Sequence, residues 1–323
     1  MKRTFYSLLL SLIVVCASAV PAKPGFMRKL TLTDGTTVTA MLVGDEFGHY
    51  WTANGKAYQA VEGTDLFQQV DGQQIVKRAQ QRRAKANASR SRRLAPKRIG
   101  AINHILGKKK GLIILVNFSD VQFDSTNDNA LYQKIANQAN FCEGKFKGSM
   151  ADYFKAQSGG KFELDFDVVG PVTVSQSQSY YGQNVNGDDQ YPASMVCEAV
   201  KLADSQVNYA DYDWDGDKTV EQVYVVYAGK GEADGGDDDT IWPHEYTLND
   251  AYLNGDGTGA LTLDGVTINT YTCGAELNGG GKVAGIGTMC HEFSHCLGYP
   301  DFYDIDYSGG QGMDAWDLMA AGS

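Results

Sequence analysis

"HEFSHCLGYPD", His291 to Asp301, is the stretch on which the reading of this 323-residue chain turns. On a helix, His291 and His295 stand four residues apart and project from one face. Two imidazoles so placed can bind one zinc ion at about 2.0–2.1 Å each. Glu292 lies about 80° round from the centre of that face. It is poorly placed to ligate, but it can reach a water on an open coordination position and take its proton as general base. Phe293 and Leu297 fall on the opposite, core-facing side, and Cys290 and Cys296 to either flank, where neither ligates. Gly298 ends the helix as a left-handed C-terminal glycine. Three residues later Asp301 arrives as an oxygen donor. Two histidines and one carboxylate leave a fourth position for water, the arrangement of a catalytic rather than a structural zinc.

Upstream of this helix the chain alternates strands and helices from Gly111 onward. "GLIILVNFSD", Gly111 to Asp120, is a continuous apolar run of strand length, which predicts a central strand. "GSMADYFKAQSGG" predicts a helix capped by Ser149 and stopped at Gly159-Gly160. "YPASMVCEAVKLAD" has helical spacing, with Met195, Val196, Ala199, Val200, Leu202 and Ala203 sharing a face. "KFELDFDVVGPVTV" and "VEQVYVVYAG" are strands. The expected class is α/β (or α+β), one mixed sheet flanked by helices, with the motif on a late helix.

The first 110 residues differ in kind. Lys2 and Arg3, the apolar run "FYSLLLSLIVV" and Ala17-Ser18-Ala19 mark residues 1–19 as a signal peptide, which implies a secreted protein. Lipidation at Cys16 is disfavoured by Val15 before it. No later segment has the roughly 20 apolar residues of a membrane span. Residues 20–76 read as a small β-rich module with hairpin turns at Asp34-Gly35 and Asn54-Gly55. Residues 77–110 carry 13 basic residues and no acidic one. This run lacks the interleaved aromatics of a nucleic-acid surface. It is expected to be an exposed, mobile linker open to an activating protease. Met1 to Lys110 carries a balance of +13 and the remainder −24, giving the net −11.

Two further readings concern metal and sulfur. "DYDWDGDKTVEQ" sets Asp211, Asp213, Asp215 and Asp217 at alternate positions, with Gly216 where a calcium loop turns; Gln222 stands at the twelfth position and Glu221 one early. A structural calcium ion is expected there. "EADGGDDD", Glu232 to Asp239, is a solvated acidic loop, and His244 in "IWPHEY" suits either the fold or the surroundings of the metal. Five cysteines remain after the signal, so one or two disulfides at most are expected.

"HEFSHCLGYPDFYD" and "WDLMAAGS", with "GLIILVNFSD", "SMADYFKAQSGGKFELDFDVVGPVTV", "YDWDGDKTVEQVYVVYAG" and "IWPHEY", resemble the immune inhibitor A family of secreted bacterial metallopeptidases. These are metzincin-like enzymes with an HExxHxxGxxD zinc signature. The resemblance covers most of Gly111 to Ser323. It implies a zincin/metzincin-like catalytic domain over 111–323, with His291, His295 and Asp301 as zinc ligands and Glu292 as base. Met319 would form the methionine turn beneath the zinc. The family continues well past the counterpart of Ser323, so a truncated sequence is expected. The resulting expectation is a zinc endopeptidase acting on extracellular proteins or peptides and made as a zymogen, with 20–76 as propeptide. With no cysteine in that module, a carboxylate or His49 would serve as its latch. The competing expectation is an exported calcium-dependent binding module with a structural zinc. Glu292 separates the two, because a structural site needs no carboxylate beside an open position.

Overall fold

The computed structural model describes residues 22–23, 25–100 (side chains to residue 89), 105–185, 187–303, 313–320 and 322. The expected signal peptide, including Cys16, lies outside the described residues, as do residues 101–104 of the basic segment.

The N-terminal module is a five-stranded antiparallel meander: β1 (Met27–Thr31), β2 (Thr37–Asp45), β3 (Gly48–Ala53), β4 (Lys56–Ala60) and β5 (Phe67–Val70). Its turns fall where the Asp-Gly and Asn-Gly pairs place them, Asn54 and Gly55 both taking positive φ as a two-residue hairpin requires. Alternation puts Leu30, Ala40 and Leu42 on one buried face with Trp51 and Phe67.

Helix α1 (Gly72–Gly100) follows, and it corrects the expected mobile linker. Ile75, Ala79 and Ala86 recur at helical spacing and are buried. Gly48 at the start of β3 permits the close approach, since a side chain there would meet the Ala79 methyl at 3.1 Å. The acidic partners that the segment itself lacks come from elsewhere: Asp45 for Arg83 and Asp188 for Arg82. Composition suggested an unpaired polar run because those partners are distant in sequence.

The larger part is built on β6 (Gly107–Asn117), α2 (Asn129–Asn137), α3 (Met150–Gln157), β7 (Phe162–Thr173), α4 (Gln178–Tyr181), α5 (Pro192–Ala203), β8 (Thr219–Val220), β9 (Val223–Lys230), β10 (His244–Thr247), α6 (Leu248–Leu253), β11 (Leu261–Leu263), β12 (Val266–Ile268), β13 (Thr270–Leu277) and α7 (Ile286–Cys296). Its main sheet runs β10-β13-β9-β6-β7, parallel except for the antiparallel edge strand β10. Interior strand β6 is apolar from Leu112 to Val116, where both its faces are covered. Leu112, Ile114 and Val116 pack with α5 residues, while Ile113 and Leu115 pack with Phe154 of α3 and Phe293 of α7. Ser149 and Asp152 form a reciprocal cap at the start of α3. Leu202, expected on the buried face of α5, is instead exposed at its outer edge. Cys142, Cys197, Cys273 and Cys290 are free thiols, so the expected disulfides do not form among them.

Candidate metal centre

Helix α7 delivers the two histidines. Its inner face is anchored by Phe293, whose ring lies 5.3 Å from that of Phe154 and 5.5 Å from that of Phe166. This packing turns His291 and His295 to the other side, where both are buried. Gly298 takes φ +95° and donates its N–H to the His295 carbonyl at 3.0 Å, so the chain reverses there. The reversal carries Asp301 back over the histidines. Its Oδ1 lies 3.3 Å from His291 Nε2 and 3.5 Å from His295 Nε2.

The outer nitrogens are fixed by backbone. His291 Nδ1 is 2.8 Å from the Leu318 carbonyl and His295 Nδ1 is 2.7 Å from the Tyr299 carbonyl. A carbonyl only accepts, so each Nδ1 carries the proton and each Nε2 presents a lone pair inward. His295 Nε2, Asp301 Oδ1 and Glu292 Oε2 are sealed from solvent and accept or donate no hydrogen bond. Polar atoms in that state are costly unless something compensates them. Electron-pair donors facing one another without protons between them fit a cation, and two imidazoles with a carboxylate are a donor set for zinc.

Electrostatics separates the two carboxylates. Burial works against ionisation of Asp301, but positive charge at His295 and His291, the place a bound cation would take, outweighs it and holds the carboxyl well below the usual range. Burial raises Glu292 above the usual range despite the same histidines. The first is thereby kept as a ligand-ready anion, while the second has the higher proton affinity of a base.

Met319 is buried, and its carbonyl accepts the Phe302 N–H at 2.7 Å, so "DLM" lies beside the loop that bears Asp301. His244 is buried in the fold. Its Nε2 is 2.9 Å from the Tyr271 hydroxyl, and burial lowers its basicity. The acidic loop is only partly assembled as expected. Asp213, Asp215 and Glu221 bring carboxylate oxygens together, whereas Asp211 lies 3.8 Å from Lys110 Nζ and Asp217 accepts the Thr219 N–H. Gln222 turns inward to Thr272.

The sequence reading missed the N-terminal module's contact with this centre. Asp45, at the end of β2, accepts from Arg83 and from the Tyr303 hydroxyl, two residues beyond Asp301. Glu46, next in the turn, is near enough to Asp301 and Glu292 to feel their charge. Burial pushes its carboxyl up, and the charges of Asp45, Asp301 and Glu292 act in the same direction. No local signal marks these residues, because Tyr303, Asp301 and Glu292 are more than 200 positions away.

Residues 105–323 match the family described as immune inhibitor A peptidase M6, catalytic domain. The chain belongs to that family. Over 267 residues it is 26% identical to immune inhibitor A of Bacillus thuringiensis subsp. alesti, covering 71% of this chain and 38% of the relative. Over 299 residues it is 26% identical to pre-pro-metalloprotease PrtV of Vibrio cholerae serotype O1 (strain M66-2), covering 77% of this chain and 31% of the relative. The chain thus spans 31% to 38% of these relatives' length. Membership of the M6 family makes residues 105–323 a metallopeptidase catalytic domain, whose catalytic metal is typically zinc. The mixed sheet suits it. Among the described residues, no helix is long and apolar enough to cross a membrane.

Proposed function

We propose that the chain is the zymogen form of a secreted zinc endopeptidase that hydrolyses peptide bonds of extracellular proteins. His291, His295 and Asp301 hold the zinc, and Glu292 is the general base. The single observation that supports this reading most is the convergence of unpartnered, sealed donor atoms on one point, with both histidine Nδ1 protons committed to backbone carbonyls. When bound there, zinc supplies Lewis acidity toward a carbonyl oxygen and makes water a better acid. Glu292, with its raised proton affinity, takes the proton of the attacking water and passes it to the leaving amine. Leu318 and Tyr299 keep the imidazoles in the correct tautomer and orientation. Met319 forms the turn under the site.

Residues 20–76 act as propeptide, together with the part of the basic segment that packs on them, a reading supported by the Tyr303 hydroxyl donating to Asp45 and by the closeness of Glu46 to Asp301 and Glu292. Removal by a protease acting in the basic segment opens the centre. A calcium ion at Asp213, Asp215 and Glu221 stiffens the loop before β8 without entering the chemistry. The alternative of a binding module with structural zinc is disfavoured by the peptidase family and by the buried carboxylate of Glu292 beside the ligands.

The test is Glu292→Gln in the full chain, with zinc content measured beside hydrolysis of denatured casein after limited proteolysis. Zinc near one per chain with hydrolysis lost by at least about a hundredfold is expected. Loss of zinc would show that Glu292 is a ligand, and retained hydrolysis would remove the mechanism.

A further inference from the structure

Ion pairs between the N-terminal module and the catalytic domain run one way among the described residues. Lys23 meets Asp234 at 2.8 Å, Arg28 meets Asp238 at 2.8 Å, His49 meets Glu232 at 2.9 Å and Arg82 meets Asp188 at 2.9 Å. In each, the module gives the cation. The last of these pairs opens on a cavity beside strand β10.

That cavity, of about 450 Å³, lies between α1 and the edge strand β10. The catalytic domain presents Asp188, Asp189, Glu245 and Asp256 to it and no lysine or arginine; the cations that face it, Arg82 and Lys85, both belong to α1, and the N-terminal module adds one acid, Glu46. Asp189 Oδ2 accepts the Trp242 N–H at 2.7 Å, but its Oδ1 is sealed from solvent and has no hydrogen-bond partner. Strand β10 packs on α7, the helix of the metal centre, and Glu46 and Glu245, which line the cavity, are near enough to Glu292 to act on its charge.

We propose that this cavity is a specificity subsite that receives the arginine or lysine side chain of a substrate, with Asp188 and Asp189 as its acids. In the uncleaved chain Arg82 fills that role from within. The inference rests on the peptidase reading above. Guanidinium carries five N–H donors in a rigid fork, enough to bond Asp188 together with a second acid that lines the cavity. An apolar side chain of similar length would leave both carboxylates desolvated without a counter-charge, and so is rejected. The surplus of acid on this face is then an acceptor for basic substrate residues as well as for the module.

Two measurements test it. Arg82→Ala combined with Lys85→Ala in the full chain removes the internal cations, and calorimetry then compares acetyl-arginine amide with its neutral isostere acetyl-citrulline amide. At least about tenfold tighter binding of the arginine amide is expected, and adding Asp188→Asn and Asp189→Asn should erase the difference. Equal binding of the two amides, or no binding of either, overturns the subsite. The second measurement needs no change in α1: wild-type protein is processed by limited proteolysis and its cleavages in a peptide library are mapped, with Glu292→Gln processed identically as background. A basic residue enriched at one fixed position supports the subsite. Efficient cleavage without that enrichment overturns it while leaving the peptidase intact. Cleavage no greater than the Glu292→Gln background would defeat the peptidase reading instead, and the amide titration still decides the cavity.

Discussion

Arg83 and Tyr303 meet in the interior, 220 residues apart in sequence, with Nη2 of the guanidinium 3.1 Å from the phenol oxygen. Both also bind Oδ2 of Asp45, and all three side chains are buried. The arginine thereby ties helix α1 and strand β2 to the loop that bears Asp301. Arg83→Ala should destabilise the full chain by about 3–5 kcal/mol, since it strands a buried carboxylate. Tyr303→Phe removes hydrogen bonds but no charge and should cost about 1–2 kcal/mol. Urea midpoints of the two variants check this ranking. An Arg83→Ala midpoint equal to wild type would mean that the ion pair does not hold the two parts together.

The pair of His49 and Glu232 gives a pH dependence. Burial works against a charged His49, but the neighbouring Glu232 outweighs it and raises the imidazole to about 9. A raised folded-state value means that the stabilisation is fully present below the unfolded value near 6.5 and is lost as pH rises through about 9. The loss is on the order of 3 kcal/mol. Melting of the full chain should therefore fall between pH 7 and pH 9.5, and His49→Gln should flatten that slope. A wild-type slope unchanged in the variant would place the titration elsewhere.

Limited trypsin should spare the bonds after Arg78, Arg82 and Arg83, although these are basic residues in a basic segment. They lie in α1, whose Ile75, Ala79 and Ala86 are buried against the module. The earliest cuts should fall between residues 90 and 110, which intact-mass measurement can locate. A first cut at Arg82 or Arg83 would show that the helix does not protect them.

Calcium is expected to act on Asp213, Asp215 and Glu221. Carboxylates held together repel one another without a cation, and an ion bound only to the native state raises its melting temperature. A calcium-selective chelator, with zinc content checked afterwards, should lower the melting temperature of wild type but not of Asp213→Ala combined with Asp215→Ala. An unchanged wild-type melt would leave a solvated acidic turn.

What could be read from sequence was what local spacing encodes. The His291/His295 pair, the reversal at Gly298, the doubly covered strand β6 and the two hairpin turns each depend on residues within a few positions. What could not be read depended on distant partners. Helix α1 looked like a mobile linker because Asp45 and Asp188 are not its neighbours in sequence. The carbonyls of Leu318 and Tyr299 leave no mark, since any residue supplies one. Alternate spacing of four aspartates suggested one site, but the chain turned Asp211 toward Lys110 and brought in Glu221.

The bonds from His291 to Leu318 and from Phe302 to Met319 also set an order of events during synthesis. Chains emerge N-terminus first. The strands of the module and helix α1 are therefore available to fold while Leu318 has yet to be joined to the chain. The imidazole of His291 has no anchor until that residue appears. Under the zymogen reading, the module that covers the centre is therefore made before the residues that complete it.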